Sequence, residues 1–260
     1  MSTNRWVLVT GASSGIGSDF ARVFAREGYS LLITARSRDR LDALAQELRR
    51  EHSALVRVFP CDLSLSGAAK ALVRALEEEQ IEVEVLVNNA GVGLLGPFVE
   101  LDAEKQSEMI HLNVLALTEL TRLLAPAMVR RGSGGILNIG STAAFQPGPL
   151  MAVYFATKAY VLSFSAALQE ELSATGVTVT CLCPGPVDTP FLATARAADA
   201  KLTRWRKPMK SLIVAEEGYQ ALQRGATCRV TGRLNRWMAF STRFAPLRVA
   251  AKVAKNLLQP

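Results

Sequence analysis

Tyr154 and Lys158 stand four residues apart in the run MAVYFATKAYVLSFSAALQEEL, and on a helix that spacing puts them on one face. A free phenol has a pKa of about 10, too high for easy proton transfer near neutrality, and a neighbouring ammonium favours its ionised form. The pair therefore predicts an acid catalyst, Tyr154, tuned downward by Lys158. Ser141 follows the apolar, strand-like run 135–140, and Pro147, Gly148 and Pro149 then turn the chain back, so its hydroxyl can face the phenol. An isolated Tyr-x-x-x-Lys is ordinarily a surface pair, so the assignment depends on what the other elements build around it.

The first of those elements is WVLVT at 6–10, followed by GASSGIG and a helical pattern at Phe20, Val23 and Phe24. Strand, glycine loop and helix are the context a dinucleotide fingerprint requires. Gly11 and Gly15 allow torsions closed to other residues, and Gly17 lets the helix start pack closely on the strand. With Ser13, Ser14 and Ile16 they form a loop whose backbone N–H groups can hold a pyrophosphate at the helix N-terminus. The second strand, 30–35, ends in ITARSR. An NAD site usually has an acid here, and a 2′-phosphate is accommodated by arginine. Residues 30–38 contain no acid, so the charge favours NADP(H), with Arg36 as phosphate ligand and Ser37 or Arg38 as helpers.

A third strand, 54–60, delivers Asp62 and Leu63, with Asp62 placed to meet an adenine edge and to cap a helix over 64–79. A fourth, 82–87, ends in NNAG, where Asn89, Ala90 and Gly91 offer flat backbone to a ring. A long helix over 102–131, broken or bent near Pro126, carries Asn113 at its middle, and asparagine is a poor residue for a helix interior. After a fifth strand at 135–140 and the helix of Tyr154, a sixth at 177–183 leaves through PGPVDTP, a rigid loop containing Pro184, Gly185, Val187 and Thr189. Six strand–helix alternations, apolar enough for burial on both faces, predict an α/β fold: a single Rossmann-type, doubly wound parallel sheet in three layers, with its ligand at the strands' carboxyl ends.

In the order TGASSGIG, NNAG, mid-helix Asn, and Ser followed by Tyr-x-x-x-Lys, the chain resembles the short-chain dehydrogenase/reductase family over roughly residues 5–190. The resemblance implies a catalytic set of Asn113, Ser141, Tyr154 and Lys158. In it Tyr154 is the general acid for carbonyl reduction, and Lys158 lowers its pKa and contacts the nicotinamide ribose. Ser141 polarises the substrate oxygen, and Asn113 supports a water linking Lys158 to solvent. It also implies that Val187 and Thr189 touch the carboxamide, and that helices near 102–131 and 154–174 pair in a homodimer or homotetramer. TARS is similar to NADP-preferring members, including some steroid and long-chain 3-ketoacyl reductases. Gly140 stands where many members have a second Ser, a difference expected to be harmless. Past Val230, Thr231 and Gly232 the chain runs on into a basic segment, instead of the threonine-glycine strand and acidic diglycine ending of bacterial 3-oxoacyl carrier-protein reductases. The expected activity is NADP(H)-dependent interconversion of a ketone or aldehyde with an alcohol, on an apolar, lipid-like or acyl-thioester substrate. A non-catalytic nucleotide sensor, and an epimerase or dehydratase on the same scaffold, are the alternatives.

Composition sets further bounds. With 260 residues and 49% hydrophobic content the chain can bury a large single core. Cys61, Cys181, Cys183 and Cys228 lack metal spacing and point to a reducing compartment, with Cys181 and Cys183 read as buried apolar residues. No metal is expected, because His52 and His111 are the only histidines and neither sits in a cluster. No secretory leader is read at the start, and the apolar run 114–129 is interrupted by Glu119, Arg122 and Pro126, so no spanning helix is expected. The protein is expected in the cytoplasm.

The net charge of +7 is uneven. Residues 201–260 hold 13 Lys and Arg against two Glu, +11, which leaves −4 (17 against 21) for residues 1–200. The domain reading is 1–232, with a substrate lid at about 191–212, and a basic amphipathic helical extension at 233–260. Apolar residues recur in the extension at 237, 240 and 244 and again at 249, 253 and 257, with Arg248, Lys252 and Lys255 on another face. Such helices pack over a cleft or partner, lie peripherally on an anionic membrane surface such as the inner membrane, or bind nucleic acid. Packing is favoured, membrane contact comes next, and no nucleic acid is expected. The lid's TRWRKPMK could meet a phosphate or carboxylate of the substrate, or be solvated.

Overall fold

The computed structural model describes residues 5–195, 201 and 207–259. Its main sheet is parallel, seven-stranded and ordered β3-β2-β1-β4-β5-β6-β9, built from β1 (Trp6–Thr10), β2 (Ser30–Ala35), β3 (Val56–Pro60), β4 (Val83–Asn88), β5 (Gly134–Ile139), β6 (Val177–Cys183) and β9 (Cys228–Val230). The order reverses between β1 and β4, which opens a crevice at their carboxyl ends. The predicted strands are all formed. β9 is a seventh where six were expected: three residues are too few to display a period, and Arg229 within it is paired to Glu217 at 2.8 Å. A separate parallel pair, β7 (Val187–Asp188) with β8 (Met209–Lys210), holds the loop that leaves β6.

Val7, Leu8 and Val9 are fully buried, as both faces of a parallel strand must be. One face is covered by α1 (Gly15–Arg26), α2 (Arg38–His52) and α8 (Ser211–Gln223), with Phe24 of α1 meeting Tyr29 and Tyr219 edge-on at 5.3 Å. The other is covered by α3 (Ala68–Glu78), α5 (Leu117–Arg131) and α6 (Ala152–Glu171), with α4 (Ala103–Ile110) packed against α6. α3 begins at Ala68, not residue 64. Asp62 therefore caps a turn, accepting from the Ser64 amide at 3.0 Å and its hydroxyl at 2.6 Å, and not the helix.

The irregularity expected at Pro126 lies elsewhere. Pro126 sits within an unbroken α5, while residues His111–Ala116 widen into a π-helical turn between α4 and α5, around Asn113. Helix 103–131 is thus continuous over 29 residues and long and apolar enough by length and composition to cross a membrane, contrary to the expectation from the shorter run; Leu117, Leu120, Leu124 and Met128 pack it inside the fold.

Residues 196–200 and 202–206 of the expected lid, including Arg204 and Arg206, lie outside the described residues. On either side stand α7 (Pro190–Thr194) and β8. Two tail helices follow β9: α9 (Arg233–Ser241) and, after a short 3-10 turn, α10 (Leu247–Leu258). Both form as predicted, and Trp237, Val249, Val253 and Leu257 of the expected stripe line the cleft, although the most buried positions are others. Their buried residues are Asn235 and Ala239, then Ala250, Ala254 and Leu258, while Trp237, Phe240, Phe244, Val249 and Val253 are exposed.

Candidate active site

A cleft of roughly 730 Å³ runs along the carboxyl ends of β1–β6 and under the tail helices. At its nucleotide end Gly11 and Gly15 have φ of 65° and 57°. A Cβ on Gly15 would come within 2.8 Å of Thr189, and one on Gly17 within 2.3 Å of the Gly11 carbonyl, so neither position has room for a side chain. Ser14 precedes α1 without capping it through its side chain, which leaves the first N–H groups of the helix to a ligand. Gly11, Ser13, Ser14, Gly15 and Ile16 line the cleft, whereas Gly17 lies behind it as a packing position. The cradle fits a dinucleotide pyrophosphate.

Arg36 lines the adjoining part, together with Ala35, Asp62 and Leu63. The second cation there is Arg40, one turn into α2, and not Ser37 or Arg38, since Ser37 precedes the helix and Arg38 pairs with Asp42 at 3.6 Å. Arg36 lies in the turn before α2 and Arg40 in its first turn. Burial works against the Asp62 charge, yet the two Ser64 donations and the Arg36 guanidinium hold its carboxyl below the ordinary value.

Asn89, Ala90 and Gly91 form the next wall. Sequence reasoning passed over Thr10, which builds this wall: its hydroxyl donates to Val87 O at 3.2 Å and accepts from the amides of Asn89 and Ala90, each at 3.0 Å. The Asn89 side chain ties back to Thr10 O at 2.9 Å. Beneath it runs a fully internal polar seam that was also not foreseen. Asn88 donates to Thr121 at 3.0 Å and to Asn138 at 2.9 Å, and Asn138 donates to Ser165 at 2.9 Å.

Ser141, Tyr154 and Lys158 converge on the cleft as predicted. Ser141 follows β5 and accepts the Ala143 amide at 3.1 Å, an N-cap that orients its hydroxyl, while Thr142 N donates to Pro184 O at 2.8 Å and joins this turn to the PGPVDTP loop. The Ser141 hydroxyl faces the Tyr154 phenol. Lys158 is buried, with Nζ 2.7 Å from Ile139 O and 5.8 Å from the Tyr154 ring centre. The expected downward tuning of the phenol is not what this arrangement produces. Burial pushes Tyr154 up to about 12, with Ser141 acting in the other direction, and burial pulls Lys158 down to about 8, against the influence of the Cys181 and Cys183 thiols. Desolvation is the largest cause of both shifts.

Asn113 is the member of the expected set that does not line the cleft. It is 2% exposed and clamps the wall from behind, accepting from Val92 N and donating to Val92 O, both at 2.9 Å, and donating to Thr157 at 3.1 Å. Thr157 in turn bonds Tyr154 O at 2.7 Å, so the clamp reaches the catalytic helix. Only the backbone of Gly91 fits between Asn113 and Lys158: a Cβ there would be 3.1 Å from Asn113 Oδ1 and 3.7 Å from Lys158 Nζ.

Pro184, Gly185, Val187 and Thr189 close the far side. Gly185 is held against Asn235 of α9, whose Nδ2 would be 2.4 Å from a Cβ and which donates to Thr231 O at 2.9 Å. Beyond Tyr154 the lining turns apolar, with Phe191 at 5.5 Å between ring centres, Met151, Trp237 and Leu258. Among the described residues no His, Cys, Asp or Glu group could hold a metal ion.

Known proteins share these features. The short chain dehydrogenase family model matches residues 5–200. The very-long-chain 3-oxoacyl-CoA reductase of Rattus norvegicus is 33% identical over 255 residues, 91% of this chain and 78% of that protein. A short-chain dehydrogenase from Sphingobium yanoikuyae in complex with NADPH superposes with a TM-score of 0.83 at 35% identity, covering 92% of this chain and 93% of that one. The bulky-bulky ketone specific alcohol dehydrogenase of Comamonas testosteroni does so with 0.79 at 31% identity, covering 93% of each. The chain belongs to the short-chain dehydrogenase family, and it is an oxidoreductase of carbonyl and alcohol groups.

Proposed function

We propose that the protein is an NADPH-dependent reductase of an apolar ketone or aldehyde. The observation that carries this is the convergence of Ser141 and Tyr154 at the junction of the nucleotide cradle and an apolar chamber, with Lys158 one turn along the same helix. Bound NADPH would supply hydride to the carbonyl carbon. Tyr154 is protonated at neutral pH and gives its proton as the carbonyl oxygen becomes an alkoxide, a stronger base than a phenolate. Ser141 orients that oxygen through its own hydroxyl, while Lys158 would hold the nicotinamide ribose and bring positive charge near the forming alkoxide. Asn113 is a positioning residue, since its clamp on Val92 and Thr157 fixes the wall and the helix on either side of Lys158.

Arg36 and Arg40 support the preference for a 2′-phosphate, as does the NADPH bound by the Sphingobium relative. The apolar chamber supports a lipid-like or bulky ketone, in line with the names of the rat and Comamonas relatives. On this reading residues 233–260 are an extension completing the chamber of a 1–232 domain, and the protein works as a homodimer or homotetramer. NADPH consumption against a panel of long-chain and bulky ketones is the test, with Tyr154→Phe as control. The expected loss in kcat is about 10²–10⁴-fold with NADPH affinity kept; unchanged turnover refutes the mechanism, and tight retention of nucleotide without net consumption points instead to an epimerase or dehydratase.

A further inference from the structure

The first tail helix turns its smaller residues inward and its larger apolar residues outward. On α9 the buried positions are Asn235 and Ala239, while Leu234, Trp237 and Phe240, with Phe244 just beyond, are spaced by three or four and lie on the opposite side. Their exposures are 46%, 67%, 56% and 75%, and Phe240 and Phe244 pack edge to face at 5.3 Å. Leu247, at the start of α10, is 76% exposed. Scattered exposed apolar residues are ordinary, but a continuous aromatic stripe is not.

Two further observations say what it meets. Residues 233–260 carry six Lys and Arg and no acid, and Arg233, Arg236, Arg243, Arg248, Lys252 and Lys255 are all exposed. On α10 the last three form a cationic face beside the apolar one. Trp237 and Ser241 from α9, with Val249 and Val253 from α10, also line the cleft that contains Tyr154, so this surface and the chamber share a rim. Interfacial helices combine an aromatic-aliphatic face with flanking Lys and Arg, and anionic headgroups attract such cations. A second copy of the chain would bring six cations against six without an opposing acid from the same segment.

We infer that α9, α10 and the turn between them form a docking surface for an anionic lipid bilayer, seated by Phe244, Leu247 and Phe240 and flanked by the tail cations, with the mouth of the chamber at the membrane. Entry of an apolar ketone from the bilayer rests on the reductase reading; the docking itself does not. Co-sedimentation of the full chain with phosphatidylcholine vesicles, with and without phosphatidylglycerol, tests it. Binding is expected to the anionic vesicles, at least about tenfold above the neutral ones, and to weaken as salt is raised. Phe244→Glu/Leu247→Glu should reduce partition by more than about tenfold, and Arg248→Glu/Lys252→Glu should remove the anionic preference. None of these four side chains lines the cleft, so thermal melting and NADPH binding should stay unchanged in both variants. Wild-type protein that ignores anionic vesicles, or variants that bind them as well as wild type, overturn the inference. So does a face whose substitution changes the oligomer mass, or one that binds DNA in preference to vesicles. Loss of ketone turnover with vesicle binding intact would strike only the reductase reading.

Discussion

Gly140 links Ile139, whose carbonyl receives Lys158, to Ser141, and its fit can be tested by adding one carbon. A Cβ there would lie 2.9 Å from Cys181 Sγ, 3.0 Å from Cys183 Sγ and 3.3 Å from Leu182 O. Ordinary nonbonded contacts sit at about 3.5–4.0 Å, so Gly140→Ala requires both thiols to retreat by about 0.5–1 Å. They have nowhere to go, being 0% exposed and 3.6 Å from each other. Overpacking of this kind costs about 1–3 kcal/mol, a fall in Tm of about 2–12 °C for a chain of this size. Ser141 is the next residue, and a displacement approaching 1 Å can lower kcat/KM by up to about a hundredfold. The assay is a double-mutant cycle by urea unfolding. In a Cys181→Ala/Cys183→Ala background the cost of Gly140→Ala should fall below about 0.5 kcal/mol, a coupling of about 1–2 kcal/mol. If Gly140→Ala is as stable as wild type, or if its cost persists once both thiols are gone, the packing argument is wrong.

Replacing Arg36 and Arg40 together with Ala should raise KM for NADPH by about ten- to a hundredfold and leave NADH nearly unaffected, both side chains being exposed and each charged hydrogen bond discounted for solvent; equal losses for the two cofactors would remove the 2′-phosphate assignment. Lys158→Met should abolish turnover but change the pH dependence of stability in a defined direction. Burial lowers the folded-state pKa of Lys158 to about 8, below its unfolded value, so the unfolded chain holds more protons between those limits and wild type gains stability as pH rises from about 8 to 10.5. Relative to Lys158→Met, the cofactor-free wild type should thus improve over that window by up to roughly 3 kcal/mol, measured by urea titration across pH, and a flat difference would mean that the ammonium is not desolvated.

The strand–helix alternation, the glycine cradle and the Ser141–Tyr154–Lys158 convergence were legible because each rests on local spacing: period, turn chemistry, or i and i+4 on one helix. What depended on depth was not. Tyr154 and Lys158 are neighbours as expected, yet the shifts of both groups follow from burial, which no spacing reports. Asn113 was found as an anomaly in a helix, but its clamp on Val92 requires knowing which loop lies opposite the π-helical turn. Thr10, Asn88 and Asn138 look like ordinary strand residues, and only the strand order, which brings β4 between β1 and β5, makes them partners.

The tail carries this furthest. Its apolar residues at 237, 240 and 244 and at 249, 253 and 257 were the packing stripe by hydrophobicity, and packing was the favoured use. Hydrophobic periodicity fixes how many faces a helix has, but not which one points inward. Here Ala239, Ala250 and Ala254 are the buried positions that face the fold, and Leu258 joins the cluster of Met151 and Phe155. The larger side chains are thereby turned to the outside and the rim. A helix that packs through alanine and presents tryptophan, phenylalanine and leucine to the exterior is arranged for two contacts. Packing and the proposed membrane docking would use different faces of this tail, so one does not preclude the other.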